Sequence, residues 1–322
     1  MEQHPYGSIF HTQAMVQAYR ETPGYEPIAI ACREEGRIIG LLVSVKINSV
    51  GALAGRLGTR CVMFAEPIVC EGPAGIRAFR ELLAEHDRRV ANHVIFSEIR
   101  PLQIHGLSRD LLVSQGYEYF DYHNYVFDID REPDEIFKSL HSKRRNNLRG
   151  NERKGLTVRE GVSSSDWDVF YSHLEASYRR SRIPLVDQEH FRSTYENLTQ
   201  DRCRLTIAEL KGEPIGSACH LMHKNRVYCW YAGTKRMPGV YAQVSLVWEA
   251  MQWGALHGFE LYDFAGAGWD GEDYGPGTFK ARFGGEHLKI SRYRKVYSDW
   301  RMKVAEFGYN VSRACQKILP NR

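Results

Sequence analysis

The sequence predicts an α/β fold built on mixed sheets and present in two copies, on three observations. Two β-like runs, residues 31–40 and 208–216, each turn through a short polar phrase closed by a glycine, Gly36 in one and Gly212 in the other. Each run leads to a helical stripe of apolar residues, and each helix is followed by a short apolar strand. A later glycine, Gly116 in the first half and Gly285 in the second, opens a last strand. These landmarks recur in the same order about 170 residues apart, and an internal repeat outranks local propensity in deciding a fold. The order hairpin, helix, strand, final hairpin gives a mixed sheet rather than a regular βαβ winding.

The individual elements follow from pattern. In the first half Ile76, Phe79, Leu82, Leu83 and Val90 form one helical stripe, and residues 94–99 the strand behind it. A boundary falls near residue 131, where Asp128 ends a strand and Pro133 opens a helical pattern, so the expected domains are 1–131 and 132–322. Residues 134–154 read as one or two helices rich in Lys and Arg, and residues 156–160 as a strand. Ser163 is an N-cap candidate before the stripe Val169, Phe170, Leu174 and Tyr178. A further helix is expected over 188–198. The stripe Val244, Val247, Trp248, Met251 and Ala255 precedes the strand at 259–264. Residues 272–277 read as a loop, and 299–319 as an amphipathic closing helix that packs on the core, with a peripheral membrane contact as the alternative.

Composition narrows the class. A chain of 322 residues with 43% hydrophobic content fills sizeable cores, which excludes disordered and fibrous classes. No run of eighteen apolar residues and no signal-like start is present, so a cytoplasmic protein is expected. Seven cysteines, odd in number and without a CxxC pair, suit reduced thiols. The net charge of +4 is concentrated in residues 138–154, where seven basic residues face one glutamate. Such a segment suits phosphates of a nucleotide, coenzyme or tRNA, and equally a solvated helix face.

Several motifs dissolve on inspection. Gly266, Gly268 and Gly271 form a GxGxxG, but a loop rather than a helix N-terminus is expected after it, so a dinucleotide site is not. Cys219, His220, His223 and Cys229 crowd together without the spacing of a zinc site, and no metal is expected. No GxSxG elbow or framed thiol points to a protein nucleophile.

Six stretches together resemble one family. Tyr231-Ala-Gly-Thr234, the helix around Trp248, the strand Leu261-Tyr-Asp-Phe264 and the frame Gly277-Thr-Phe-Lys-Ala-Arg-Phe-Gly-Gly285 are similar to the FemABX-like peptidyltransferases of the GNAT superfamily. So are the basic run from Ser142 to Gly155 and the Arg180-Ser-Arg-Ile183 stretch. The likeness is strongest over residues 134–297. It implies two tandem GNAT-like acyl-CoA N-acyltransferase domains, with the active cleft in or beside the second, which also carries the closing helix. Members of the bridge-building kind move an amino acid from aminoacyl-tRNA to an amine on a peptidoglycan precursor in cell wall biogenesis. Other branches use acyl-CoA on polysaccharide or small-molecule amines, and the fold does not choose between them. The coenzyme signature R/Q-x-x-G-x-G/A is half met by Arg236-Met-Pro-Gly239-Val-Tyr241, where Tyr241 stands in a position that should be small.

The resemblance assigns roles. Acyl transfer to an amine passes through a tetrahedral oxyanion, and Lys280 matches the family lysine placed to stabilise it. Asp263, at a strand end, is expected to take the amine proton or orient the nitrogen. Tyr231 and Gly233 are expected to hold the donor carbonyl. Arg180, with Arg182 as alternate, matches the arginine that holds acceptor phosphates. Lys143, Arg144 and Arg149 are expected to meet the donor, whether tRNA or coenzyme A, and Tyr241 is expected among the substrate-binding residues. A thioester or aminoacyl ester is already reactive, so direct transfer without a tightly bound cofactor is expected. The acceptor is a small molecule, a peptide or a nucleotide-sugar-linked precursor, and DNA is not a partner. A non-catalytic module gripping RNA or a nucleotide is the reading of another class, resting on the basic segment alone.

Overall fold

The computed structural model describes residues 4–48, 58–102, 108–269, 271 and 275–318. They divide into two compact units, Met1–Asp121 with Ile290–Arg322, and Tyr122–Lys289.

The first unit opens with a 3₁₀ turn, Ile9–His11, and α1, Gln13–Glu21. Strands β1 (Tyr25–Glu34), β2 (Arg37–Asn48), β3 (Thr59–Met63), β4 (Ile68–Val69) and β5 (Phe96–Ile99) follow, with α2 (Gly72–Val90) before β5 and α3 (Ser108–Ser114) after it. The β1–β2 hairpin closes on Glu35 and Gly36, with φ of 49° and 78°. Positive φ at both central residues is what a two-residue type I′ turn requires, and its twist matches that of the flanking strands. Helix α2 buries Phe79, Leu82 and Leu83 against Ile30, Leu42, Met63 and Ile99, and Val90 against Cys61 and Val94. Each such side chain contributes about 1.5–3 kcal/mol on burial.

In the second unit the elements are β6 (Glu118–Asp128), α4 (Pro133–Ser139), α5 (Ser142–Arg153), β7 (Leu156–Gly161), α6 (Ser164–Ser181), α7 (Glu189–Leu198), β8 (Cys203–Leu210), β9 (Glu213–His223), β10 (Arg226–Thr234), α8 (Ala242–Leu256), β11 (Leu261–Trp269) and α9 (Gly275–Ala281). Strand β6 starts at Glu118, three residues before the crossover at Asp121. The sheet runs β6-β11-β10-β9-β8-β7, antiparallel throughout except for the parallel β10–β11 pair. The β8–β9 hairpin repeats the first one, with φ of 54° at Lys211 and 81° at Gly212. Ser163 caps α6 in a capping box with Asp166, as its sequence position predicts. Residues 275–281, half of which read as loop, are helical, with Pro276 tolerated in the first turn.

The last strands depart from the expected boundary at residue 131. β12 (Glu286–Val296) pairs with β5 of the first unit, Tyr293 opposite Ile99 and Arg294 opposite Glu98. β6, which follows Gly116, pairs with β11 of the second, Val126 opposite Asp263. Each half therefore lends its final strand to the other half's sheet. Period-two patterning marks a strand but not its partner; side chains on the neighbouring strand decide that. The closing helix α10 (Asp299–Ile318) forms, but Val304 is 47% and Phe307 72% exposed, so those residues do not pack on the core as expected. Residue 319 lies outside the described residues. No helix among the described residues is long and apolar enough to cross a membrane.

A buried charge cluster holds β12 to β5. Glu98 accepts from Arg100 Nε at 2.7 Å and Arg294 Nη2 at 2.8 Å, with Arg292 Nη1 at 3.6 Å. Burial alone would raise its carboxyl; the charges of Arg100 and Arg292 and the hydrogen bonds from Arg294 and Arg100 outweigh that and pull it from 4.5 to about 2. Because the folded value is the lower one, the carboxylate's contribution is fully present above about 4.5 and is lost as pH falls from there toward about 2. Replacing Glu98 by Gln removes the buried charge that Arg100, Arg292 and Arg294 share and should cost about 3–5 kcal/mol at neutral pH. Denaturant unfolding followed at pH 7 and pH 3 checks this: the wild type should lose stability between the two, and Glu98→Gln should lose less.

Candidate active site

The site begins where two parallel strands stop being neighbours. β10 and β11 pair only as Arg226–Leu261, Val227–Tyr262 and Tyr228–Asp263, although β10 continues to Thr234 and β11 to Trp269. β10 shifts register against β9 between Cys229 and Tyr231, and β11 against β6 between Asp263 and Gly266. Ala265 takes φ of 55° in that irregularity, a costly conformation for a residue with a Cβ. The unpaired ends leave a cleft in the sheet.

Asp263 fixes this departure. It is 1% exposed; Oδ1 accepts from Asn124 Nδ2 and from the Ala265 amide, both at 2.8 Å, and Oδ2 from Arg226 Nη1 at 3.2 Å. The carboxylate thus ties β6, β10 and the β11 irregularity together. Three donors converge on it, so it serves as a strut between these strands, and Oδ2, with one bond at 3.2 Å, is the less committed oxygen.

Lys280 faces the same irregularity. From α9 its Nζ donates to the carbonyls of Phe264 at 2.5 Å and Gly266 at 2.8 Å, with Ala265 O at 3.5 Å. Two bonds are short and the third is at the edge of hydrogen-bond distance, so one N–H of the ammonium is weakly committed. Burial pulls its pKa below 10.5, while Cys229 and Asp263 act in the opposite direction.

Beside this cluster lies a cavity of about 500 Å³ lined by Arg144, Lys235, Arg236, Tyr241, Gln243 and Phe279 among others. It opens at the N-terminus of α8, whose first-turn amides, with the helix dipole, favour anions. The preceding loop already uses two of its own amides: Val240 N donates to Met237 O at 3.2 Å, and Tyr241 N to Asn151 Oδ1 at 3.1 Å. Lys154 Nζ donates to the Gly239 carbonyl.

The remaining predicted residues divide. Arg144 is buried rather than on the exposed face of α5: it is 5% exposed, lines the cavity, donates from Nη2 to Phe279 O at 2.7 Å and lies over the rings of Phe279 and Phe283 at 4.5 and 4.7 Å. Lys143 and Arg149 are exposed on α5, Arg149 over Phe137 at 5.5 Å. Gly233 serves packing: a Cβ there would lie 2.4 Å from the His173 backbone, so α6 and β10 approach only because the residue is glycine. Tyr231 sits among aromatic rings, edge-on to Phe191 at 4.9 Å. Arg180, exposed, donates to Thr234 O at 2.7 Å, which places it at the end of β10; Arg182 is the left-handed C-cap of α6, with φ of 54°. Tyr241 is exposed at the cavity. His220 bonds Tyr262 Oη at 3.1 Å, and burial together with Arg204 pushes it down to about 3. It is a neutral core histidine, and no group of three metal-ligating residues is found among the described residues. Gly266 and Gly268 lie within β11, not at a helix start.

Sequence reasoning missed Asn124, Arg226 and Asn151. Of these only Asn151 left a trace, because Asn147 and Asn151 stand one turn apart as uncharged polar residues in an otherwise basic helix.

The chain matches known proteins in the same region. The acetyltransferase (GNAT) domain family model matches residues 142–276. Among solved structures, FemX aligns with a TM-score of 0.69 at 16% identity, over 92% of this chain and 94% of that one. L-PGS from Bacillus licheniformis aligns at 0.60 and 13%, over 95% and 93%, and a tandem GNAT protein from the clavulanic acid biosynthesis pathway at 0.56 and 15%, over 88% and 87%. No curated protein matches by sequence. The strand parting, the α8 N-terminus and the family match coincide in the second unit. Residues 142–276 therefore match a GNAT acetyltransferase domain, and the chain shares its fold with FemX and a tandem GNAT protein.

Proposed function

We propose that the protein moves an aminoacyl group from aminoacyl-tRNA to an amine of a cell-wall or peptide precursor. The observation that carries this reading is the state of the loop before α8. Its Val240 and Tyr241 amides are spent within the protein, and cationic side chains, Lys235 and Arg236 with Lys143 and Arg149 on α5, are left to meet donor phosphates. Arginine and lysine can follow an RNA backbone, whereas a coenzyme diphosphate is best held by backbone amides at close approach.

The chemistry needs no enzyme nucleophile. The acceptor amine attacks the ester carbonyl, its carbon–nitrogen bond forms, the carbonyl oxygen becomes an oxyanion, and collapse expels the ribose hydroxyl while the nitrogen loses its proton. Lys280 supplies the cation for that oxyanion through the N–H that Ala265 O holds only loosely. Arg180, at the end of β10, holds acceptor phosphates with the donors that Thr234 O leaves over.

Acyl-CoA as donor is a second reading, favoured by α8 itself. The amides of Ala242 and Gln243 stand in its first turn at the cavity without partners among the described residues. Calorimetry with coenzyme A and acetyl-CoA, beside deacylation assays with charged tRNAs, separates the two. Tight coenzyme binding without tRNA deacylation would replace the first reading with the second.

The role of Lys280 has its own test. Lys280→Met should lower turnover by about 10²–10³-fold, about 2.7–4 kcal/mol of barrier, with donor KM changed far less. It should also lower stability by about 1–3 kcal/mol, because the Phe264 and Gly266 carbonyls lose their donor. Since activity needs the ammonium, and burial holds its pKa below 10.5, the rate should be full at lower pH and fall on the alkaline side before 10.5. Retention of more than about a tenth of wild-type turnover, under about 1.4 kcal/mol, would leave Lys280 a strut alone.

A further inference from the structure

Helix α5 reaches two walls of the cavity with two residues whose contacts the transfer chemistry does not use. Asn151, 1% exposed, grips the start of α8: Oδ1 accepts from Tyr241 N at 3.1 Å, while Nδ2 donates to Tyr241 O at 3.0 Å and Ser245 Oγ at 2.9 Å. A carboxamide carries a donor and an acceptor side by side, so it bonds the N–H and the C=O of one residue together and fixes Tyr241 in both position and rotation. Two helical turns earlier Arg144 grips α9 through the Phe279 carbonyl and the rings of Phe279 and Phe283, which flank Lys280 in sequence. No carboxylate within ion-pair distance accompanies this buried guanidinium among the described residues, and its Nε is buried without a partner there. Burial, with Arg282 adding to it, pulls Arg144 down to about 10. A cation kept under those conditions has a job that packing alone would give to leucine.

We propose that Asn151 and Arg144 are positioning residues and that α5 is a bracket, holding the donor loop at 236–241 and the Lys280 helix at a set separation. A helix suits this use because its length between the two grips is fixed by backbone hydrogen bonds rather than by side-chain rotamers. The kinetic consequence rests on reading the cavity as the donor site; the mechanical one does not. Asn151 controls how the donor is held, and Arg144 controls where the ammonium stands when the oxyanion forms.

Two conservative variants separate the grips. Asn151→Asp keeps the acceptor for Tyr241 N and removes both donors. Arg144→Lys keeps the cation and removes the planar stacking. Hydrogen exchange read by mass spectrometry should show amides 239–245 opening about tenfold faster in Asn151→Asp, with 279–283 unchanged, and the reverse in Arg144→Lys. Acylation of Lys280 by an N-hydroxysuccinimide ester should quicken at least about fivefold in Arg144→Lys only. With alanyl-tRNA and acetyl-CoA run in parallel, Asn151→Asp should raise donor KM about tenfold with kcat within about twofold, and Arg144→Lys should lower kcat about tenfold with KM little changed. Equal loosening of both segments in both variants, or of neither, overturns the bracket. A donor KM raised by Arg144→Lys with 279–283 still protected overturns it too, making Arg144 a direct phosphate ligand. Should neither donor be turned over, the proposed function fails, and exchange with Lys280 labelling still decides the bracket.

Discussion

The buried carboxylate of Asp263 is the constraint on which the site depends. By accepting the Ala265 amide it holds a non-glycine residue at positive φ, and that single conformation ends the β10–β11 ladder. Beside the same turn the carbonyls of Phe264 and Gly266 accept from Lys280. Cleft and cationic centre are thus two results of one irregularity. The backbone strain, of order 1–3 kcal/mol, is held in place by three donors converging on one carboxylate.

Charge is distributed accordingly. Lys280 is offset by oriented backbone dipoles with no carboxylate in ion-pair contact among the described residues, and its third N–H is held only loosely by Ala265 O. Asp263 is offset by Arg226, on the neighbouring strand. Each charge therefore has its own compensation, and neither is neutralised by the other. Arg145, like Arg144, turns inward, to the carbonyls of Lys138 and Leu140, and Lys154 to that of Gly239. The most basic stretch of the chain is consequently part framework and part surface.

The exchange of final strands adds a second constraint. Asn124 on β6 completes the Asp263 network, although β6 belongs by sequence to the first half. Arg292 and Arg294 on β12 complete the Glu98 cluster, although β12 belongs to the second. Each half supplies a polar partner for a carboxylate buried in the other half's sheet. The sequence repeat and the unit of folding therefore do not coincide.

The sequence by itself determined the element types, because amphipathic periods, turn glycines and cap residues act over a few positions. The stripe of α2, the capping box at Ser163 and the matched turns at Gly36 and Gly212 were all legible for that reason. It also singled out Lys280 and Asp263 through the frames around them. Tertiary structure alone decided what those residues touch. Whether Asp263 is a base or a strut depends on Asn124 and Arg226, which are 139 and 37 residues away along the chain. Whether Arg144 meets a ligand or a helix depends on Phe279, 135 residues on. Gly233 reads as a donor-side residue until α6 is seen to press on it. Strand partnership was likewise decided in space: alternation specifies a face, while complementary charge and hydrogen bonding on the adjoining strand specify the neighbour.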